Sequence, residues 1–226
     1  MAGLKHPAFF YMKPYLFKTP ALVERLYPDL EWKAEKTRKT VYLTFDDGPT
    51  PVVTPYVLEQ LETYHARATF FCIGKNIDHH PELFRTLLSK GHRIGNHTFN
   101  HLNASKSTPD IYMKEVEKTE ERIALETGSP GKKETPLFRP PYGKINKKIT
   151  GLLHAQGYRV IMWSLLSADF DPALNTAKSL SSLKKHTRPG SIIVFHDSLK
   201  AFENLKVILP EYLKFLNENG FEMESL

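Results

Sequence analysis

Thr44-Phe45-Asp46-Asp47-Gly48-Pro49 extends the apolar run Val41-Tyr42-Leu43 and then stops it. A short run of β-branched and aromatic residues predicts a buried strand, and Gly48 with Pro49 ends it. Two adjacent carboxylates therefore stand where a buried strand turns. Their mutual repulsion calls for a cation or a shared proton between them. One Asp suits a metal while its neighbour handles a proton. On its own Asp46-Asp47-Gly48-Pro49 better suits a plain turn whose Asp residues cap the next helix. The rest of the chain decides between these readings.

Downstream, strand and helix signals alternate. Strands are predicted at Ala68–Ile73, His92–Gly95, Pro136–Arg139, Tyr158–Trp163, Ser191–Phe195 and Phe221–Met223. Between them, apolar residues recur at helical spacing, as in Val53, Val57, Leu58 and Leu61 after Thr50-Pro51. Further helices open at His80-Pro81, at Thr108-Pro109, before Ile149, near Pro172 and near Phe202. Such alternation predicts an α/β fold, a parallel sheet covered by helices. The length fits a small β/α barrel of about seven strands, and an open doubly wound sheet shares the pattern. No glycine-rich phosphate loop follows a strand, which counts against a nucleotide-binding version.

Upstream, residues 1–39 read as an arm packed on a single domain spanning 40–226. The first 18 are rich in aromatics without a period. Thr19-Pro20 opens a short helix through Tyr27, with Thr19 as its cap, and Pro28 stops it. With 226 residues, 41% hydrophobic and 25% charged, the chain has the composition of an ordinary soluble domain with a full core. The net charge is +6 and the pI about 9.2. Lysines occur in short pairs, and no nucleic-acid motif accompanies them, so nucleic acid is not an expected partner. Cys72 is the single cysteine, which excludes an internal disulfide, and it is read as a buried core thiol. No stretch reaches the ~20 apolar residues of a membrane helix. The apolar run Ala8–Met12 is too short for a secretory core. The chain as it stands is thus expected in the cytoplasm, with export open if the N-terminus is incomplete.

Four more predicted strand ends carry polar residues. They are His97-Thr98-Phe99-Asn100-His101, Arg139-Pro140-Pro141-Tyr142-Gly143, the run Trp163 to Phe170 with Asp169, and Val194-Phe195-His196-Asp197. Carboxyl ends of strands are where β/α barrels put their chemistry. His97 and His101, four apart, are read as lying on one face of a helical turn. With Asp47 they make a set of three ligands that leaves a position open, the catalytic rather than structural pattern for zinc. The two prolines stiffen the loop that aims Arg139 and Tyr142.

In this order, the motifs Thr44–Gly48, His97–His101 and Arg139–Tyr142, with the strand end at His196, resemble the polysaccharide deacetylase family, the NodB-homology domain of carbohydrate esterase family 4. The likeness runs from about Val41 to the C-terminus. It implies a distorted β/α barrel and hydrolysis of an acetyl group from an acetylated glycan. It also implies a divalent metal, chiefly zinc, with cobalt, nickel or manganese as other occupants. Carried onto this sequence, it makes Asp47, His97 and His101 metal ligands and Asp46 the general base. Arg139 would pair with Asp46, the Tyr142 backbone N–H would help hold the oxyanion, and His196, oriented by Asp169, would be the general acid. Pro141, Tyr142, Phe170 and Trp163 are expected around the substrate. The family's fourth motif commonly reads Asp-x-x-Asp-Trp; here Leu166 and Phe170 stand at its ends, which puts the substrate subsite in question. The main expectation is N-deacetylation of N-acetylglucosamine glycans such as peptidoglycan, chitin oligomers or poly-N-acetylglucosamine. O-deacetylation, hydrolysis of a small amide and a non-catalytic glycan-binding module are the alternatives.

Overall fold

β1 (Thr40–Asp46) occupies the middle of the sheet, and the computed structural model builds the rest of the domain around it. The structure describes residues 15–35, 38–128 and 135–226. The predicted aromatic segment before Tyr15 lies outside the described residues. Alternation along β1 sorts its side chains onto two faces. Val41, Leu43 and Phe45 point outward, fully buried under the helices. Tyr42 joins an inner cluster with Phe71, Leu137, Ile161 and Ile192, and Thr44 and Asp46 share that inner face.

Around β1 stand β2 (Thr69–Cys72), β3 (Arg93–Asn96), β4 (Leu137–Phe138), β5 (Arg159–Val160), β6 (Leu165–Leu166), β7 (Ile192–His196) and β8 (Glu222–Glu224). Their order is β5-β4-β3-β2-β1-β7-β6, with β8 also pairing to β1, and all pairings are parallel. The strands form a curled half-barrel with helices outside, so the predicted α/β barrel-like class holds. Among the helices are α1 (Ala21–Leu26), α2 (Val53–Thr63), α3 (Gly74–His79), α4 (Pro81–Ser89), α5 (Pro109–Thr127), α6 (Lys147–Ala155), α7 (Thr176–His186) and α8 (Phe202–Glu218). α5 follows its sequence signals closely: Thr108 Oγ1 accepts from the Ile111 N–H, and Gly128 ends the helix at φ 62°. No helix among the described residues is long and apolar enough to cross a membrane.

Three expectations are corrected. The strand expected over Tyr158–Trp163 is cut short at β5 (Arg159–Val160), and the chain then crosses to the opposite end of the sheet, where β6 follows at Leu165. Residues 161–164 between them spend their carbonyls elsewhere: Ile161 and Met162 accept from the Arg139 guanidinium, and Trp163 accepts from Thr19 Oγ1 at 2.7 Å. Thr19 is therefore not a cap; Pro20 holds that position, and α1 begins at Ala21. The sequence also hid α3, because Gly74 reads as a strand stop. Here Gly74 opens a helix instead, packed so closely on Phe99 that a Cβ would sit 2.6 Å from its ring.

The described part of the arm lies across the gap between β5 and β6. Glu31 bridges Ile161, and Lys18 bridges Leu165. Arg159 holds Glu31 with two hydrogen bonds of 2.8 and 2.6 Å. The single thiol, Cys72, is buried on β2, and burial pushes its pKa well up.

Candidate active site

β1 and β7 bring the first functional pair together. In the parallel register Asp46 lies opposite His196, so both project from neighbouring strands toward one face. Asp46 is buried, and Arg139 Nη1 meets its Oδ1 at 2.8 Å. The whole guanidinium is buried, and it makes four hydrogen bonds. Nη1 also donates to Thr44 Oγ1 at 2.6 Å, Nε to the Ile161 carbonyl at 3.2 Å and Nη2 to the Met162 carbonyl at 2.9 Å. The Phe71 ring packs 4.2 Å from its carbon. A buried ion pair this well bonded fixes the direction in which Asp46 points.

Asp47 turns away from its neighbour at φ 82°, an uncommon conformation for a residue other than glycine. Asn76 Nδ2 holds its carbonyl at 2.7 Å. This points the Asp47 carboxylate at His97 Nε2 (3.8 Å) and His101 Nε2 (3.3 Å). One ligand atom from each of the three residues lies within 4.8 Å of the others. The two histidines do not share a helical turn as the spacing suggested. They belong to an irregular loop after β3, with Thr98 at φ 61° and His101 at φ 56°. The loop is held from outside: the Thr98 N–H donates to Asn96 Oδ1, and the Thr98 and Phe99 carbonyls accept from Gly74 and Lys75 at the start of α3.

This trio fits a divalent cation on three grounds. Asp47 Oδ1 is buried without a hydrogen-bond partner among the described residues. His97 Nδ1 lies 2.7 Å from the Arg139 carbonyl, which assigns the proton to Nδ1 and leaves Nε2 as a donor of electrons. Both rings are neutral near pH 7, the form that binds metal. Burial lowers the His97 pKa despite Asp46 and Asp47, and burial with the adjacent His97 lowers that of His101 to about 4. For Asp47, burial works upward, but the imidazoles of His196, His97 and His101 outweigh it and lower the pKa.

His196 lies on the far strand with Asp169 behind it. Its Nδ1 is 2.7 Å from Asp169 Oδ1, and its backbone N–H donates to Oδ2 at 2.9 Å. Burial opposes the charged ring, yet Asp169, with Asp47 and Asp46 beyond, raises the His196 pKa to about 9. Phe170 presents its ring edge-on to His196 at 5.1 Å and to Tyr15 of the arm at 5.5 Å. Leu166 is buried on β6 with Ala168 and Val194, so this position of the fourth motif is part of the core.

Tyr142 sits at φ 61° in a tight turn, 61% exposed, with its ring 4.5 Å from that of His101. Pro141 is buried in the same turn. Gly143 takes φ 63° and lies so close to the half-buried Trp163 that a Cβ would meet the indole at 2.5 Å. All eleven residues expected from the sequence are thus placed. Pro141 is part of the Tyr142 turn, and Trp163 packs against Gly143 at its end.

Sequence reasoning passed over Asp197. Its fully buried carboxylate accepts from the Gly48 N–H at 3.0 Å and from Thr54 Oγ1 at 2.6 Å, and its own N–H donates to the Asp46 carbonyl. Burial and the nearby Asp47 raise its pKa to about 7, although Thr54 and Gly48 favour the charged form. A Cβ at Gly48 would stand 2.0 Å from Asp197 Oδ2, so Gly48 is required by this contact. The sequence shows only an Asp following a strand-end His; its partner glycine is 149 residues away.

Carboxylates and histidines converge at the carboxyl end of a parallel sheet curled into a half-barrel, where β/α barrels carry their chemistry. The chain belongs to the polysaccharide deacetylase family, whose sequence profile it matches over residues 33–161. It is 35% identical to a peptidoglycan-N-acetylglucosamine deacetylase of Bacillus cereus over 199 residues, covering 86% of this chain and 90% of that one. A chitooligosaccharide deacetylase of Azorhizobium caulinodans is 34% identical over 165 residues, covering 72% and 75%. The crystal structure of a peptidoglycan N-acetylglucosamine deacetylase superimposes with a TM-score of 0.81 at 27% identity, covering 92% of this chain and 95% of that one. These likenesses support a glycan deacetylase.

Proposed function

We propose that the protein is a metal-dependent hydrolase that removes N-acetyl groups from N-acetylglucosamine-containing glycans. The observation that carries this reading is the placement of two separately oriented proton carriers about the Asp47–His97–His101 trio: Asp46 held by Arg139, and His196 held by Asp169. Asp47, His97 and His101 would hold zinc, which when bound supplies a Lewis acid to polarise the acetyl carbonyl and acidify a water.

Asp46 acts as general base toward the attacking water. Arg139 keeps its carboxylate aimed and limits its freedom to rotate. The Tyr142 backbone N–H, in its left-handed turn beside His101, helps to receive the developing oxyanion. His196 delivers a proton to the departing nitrogen. An amine leaves poorly as its anion, so an amide requires this proton far more than an ester does. The Asp169 partnership, which keeps His196 charged at neutral pH, therefore favours N- over O-deacetylation. Phe170 offers an apolar wall next to His196 for the acetyl methyl.

The test is acetate release from N-acetylglucosamine oligomers by chelator-treated protein, with and without added Zn²⁺. Release only with the metal supports the reading. Release that is unaffected by removing and restoring the metal contradicts it.

A further inference from the structure

The turn that carries Asp169 is held by residues that the mechanism above does not use. Ala168 to Asp171 form a tight turn after β6, closed by the Asp171 N–H donating to the Ala168 carbonyl at 3.1 Å. Ala168 is fully buried and takes φ 58°. A left-handed residue other than glycine is strained, and the strain persists only where the surroundings fix the backbone. The Asp169 N–H reaches Ser167 Oγ only at 3.3 Å, a long hydrogen bond for such a task.

Asn204, the third residue of α8, closes on this turn from outside. Its Nδ2 donates to the Asp169 carbonyl at 2.9 Å and to the Asp171 carbonyl at 2.8 Å. A side-chain amide nitrogen carries two hydrogens, and both are spent here on one turn. Two carbonyl partners also assign the nitrogen, rather than the oxygen, to this side of the amide. On its other side the turn meets the arm: the Tyr15 hydroxyl donates to Asp171 Oδ2, and the Tyr15 ring packs edge-on to Phe170. The Asp169 carboxylate, fully buried, places one oxygen 2.7 Å from His196 Nδ1 and the other 2.9 Å from the His196 backbone nitrogen. A shift of the turn therefore moves both contacts at once.

We propose that Asn204 is a positioning residue for the general acid: by clamping the Asp169 and Asp171 carbonyls it sets the Asp169 carboxylate, and through it the direction in which His196 offers its proton. The proposal rests on the deacetylase reading and adds to it a residue of α8, 35 positions along the chain from Asp169. Tyr15 is the second support of the same turn.

The experiment separates an amide from an activated ester. The amide nitrogen must gain a proton as it departs, whereas the phenolate of p-nitrophenyl acetate leaves as the anion and has no use for an aimed acid. Zinc-loaded Asn204→Leu should lose about 10²-fold in kcat for acetate release from N-acetylglucosamine pentamer, the order of a 1 Å misplacement. It should hydrolyse p-nitrophenyl acetate as the wild type does. Asn204→Ser, which withdraws both donors without adding bulk, carries the same comparison if the leucine variant does not fold. Equal losses on the two substrates, or no loss on either, overturn the proposal. A second readout needs no turnover: the low-field proton of His196 Nδ1 in the NMR spectrum, identified by its absence from His196→Gln. Movement of this resonance toward the ordinary imidazole position in Asn204→Leu supports the clamp, and an unmoved resonance overturns it. A wild type that releases no acetate from the pentamer sinks the deacetylase reading, and the NMR comparison then decides the role of Asn204.

Discussion

Replacing Asp169 by Asn should remove the pH dependence of stability that arises at His196. The His196 ring is only 14% exposed and its Nδ1 is 2.7 Å from Asp169 Oδ1. Its pKa stands at about 9, against 6.5 for an ordinary histidine. The difference between those values is worth about 3 kcal/mol of folding free energy, at 1.36 kcal/mol per pKa unit. Because the folded-state value is the higher one, this stabilisation is complete below about pH 6.5 and is lost as pH rises through about 9. In Asp169→Asn the chief counter-charge is gone while burial remains, so His196 returns toward its ordinary value and the term vanishes. Urea unfolding of chelator-treated wild type and variant at pH 6, 7.5 and 9.5 reads it directly. The variant should be less stable by several kcal/mol at pH 6, and the difference should narrow by about 3 kcal/mol by pH 9.5. A difference that stays constant with pH would show that Asp169 holds His196 by geometry alone and would refute the electrostatic account.

Gly48→Ala should displace the strand end that carries Asp46 and Asp47, because the new methyl falls 2.0 Å from Asp197 Oδ2. Zinc binding measured by calorimetry should weaken together with turnover. Asp197→Ala leaves the Gly48 N–H and Thr54 hydroxyl without their buried partner, which should cost about 2–4 kcal/mol in urea unfolding. Arg139→Met should be more damaging, since it leaves a buried carboxylate uncompensated at about 3–5 kcal/mol. Arg139→Lys should recover part of that stability but little activity, because an ammonium cannot reproduce the four hydrogen bonds of the guanidinium.

Much of the fold was legible because its strands are buried and local. Val41-Tyr42-Leu43 falls inside β1, and the predicted ends of β2, β3 and β7 lie within two residues of those found. Four of the candidate site's loops were legible because they follow predicted strands, β1, β3, β4 and β7, whereas the loop with Asp169 follows β6, which the sequence did not show. What the sequence concealed depends on partners far along the chain. Tyr158–Trp163 reads as one strand, yet Arg139 and Thr19 take up the carbonyls at its end. His97 and His101 have helical spacing, but Asn96 and α3 pin an irregular loop that brings the rings together another way. Asp197 looked like a passenger beside His196 because its partners, Gly48 and Thr54, are more than 140 residues away.

The division of labour between the adjacent aspartates is the centre of the account, and Asp46→Asn tests it most directly. Zinc stoichiometry by calorimetry and acetate release from N-acetylglucosamine pentamer should be measured on the same preparation, alongside Asp47→Ala. Asp46→Asn should bind one zinc per chain but lose about 10²–10⁴-fold in turnover, while Asp47→Ala should lose both. Full turnover by Asp46→Asn, or loss of its zinc with Asp47 intact, would contradict it.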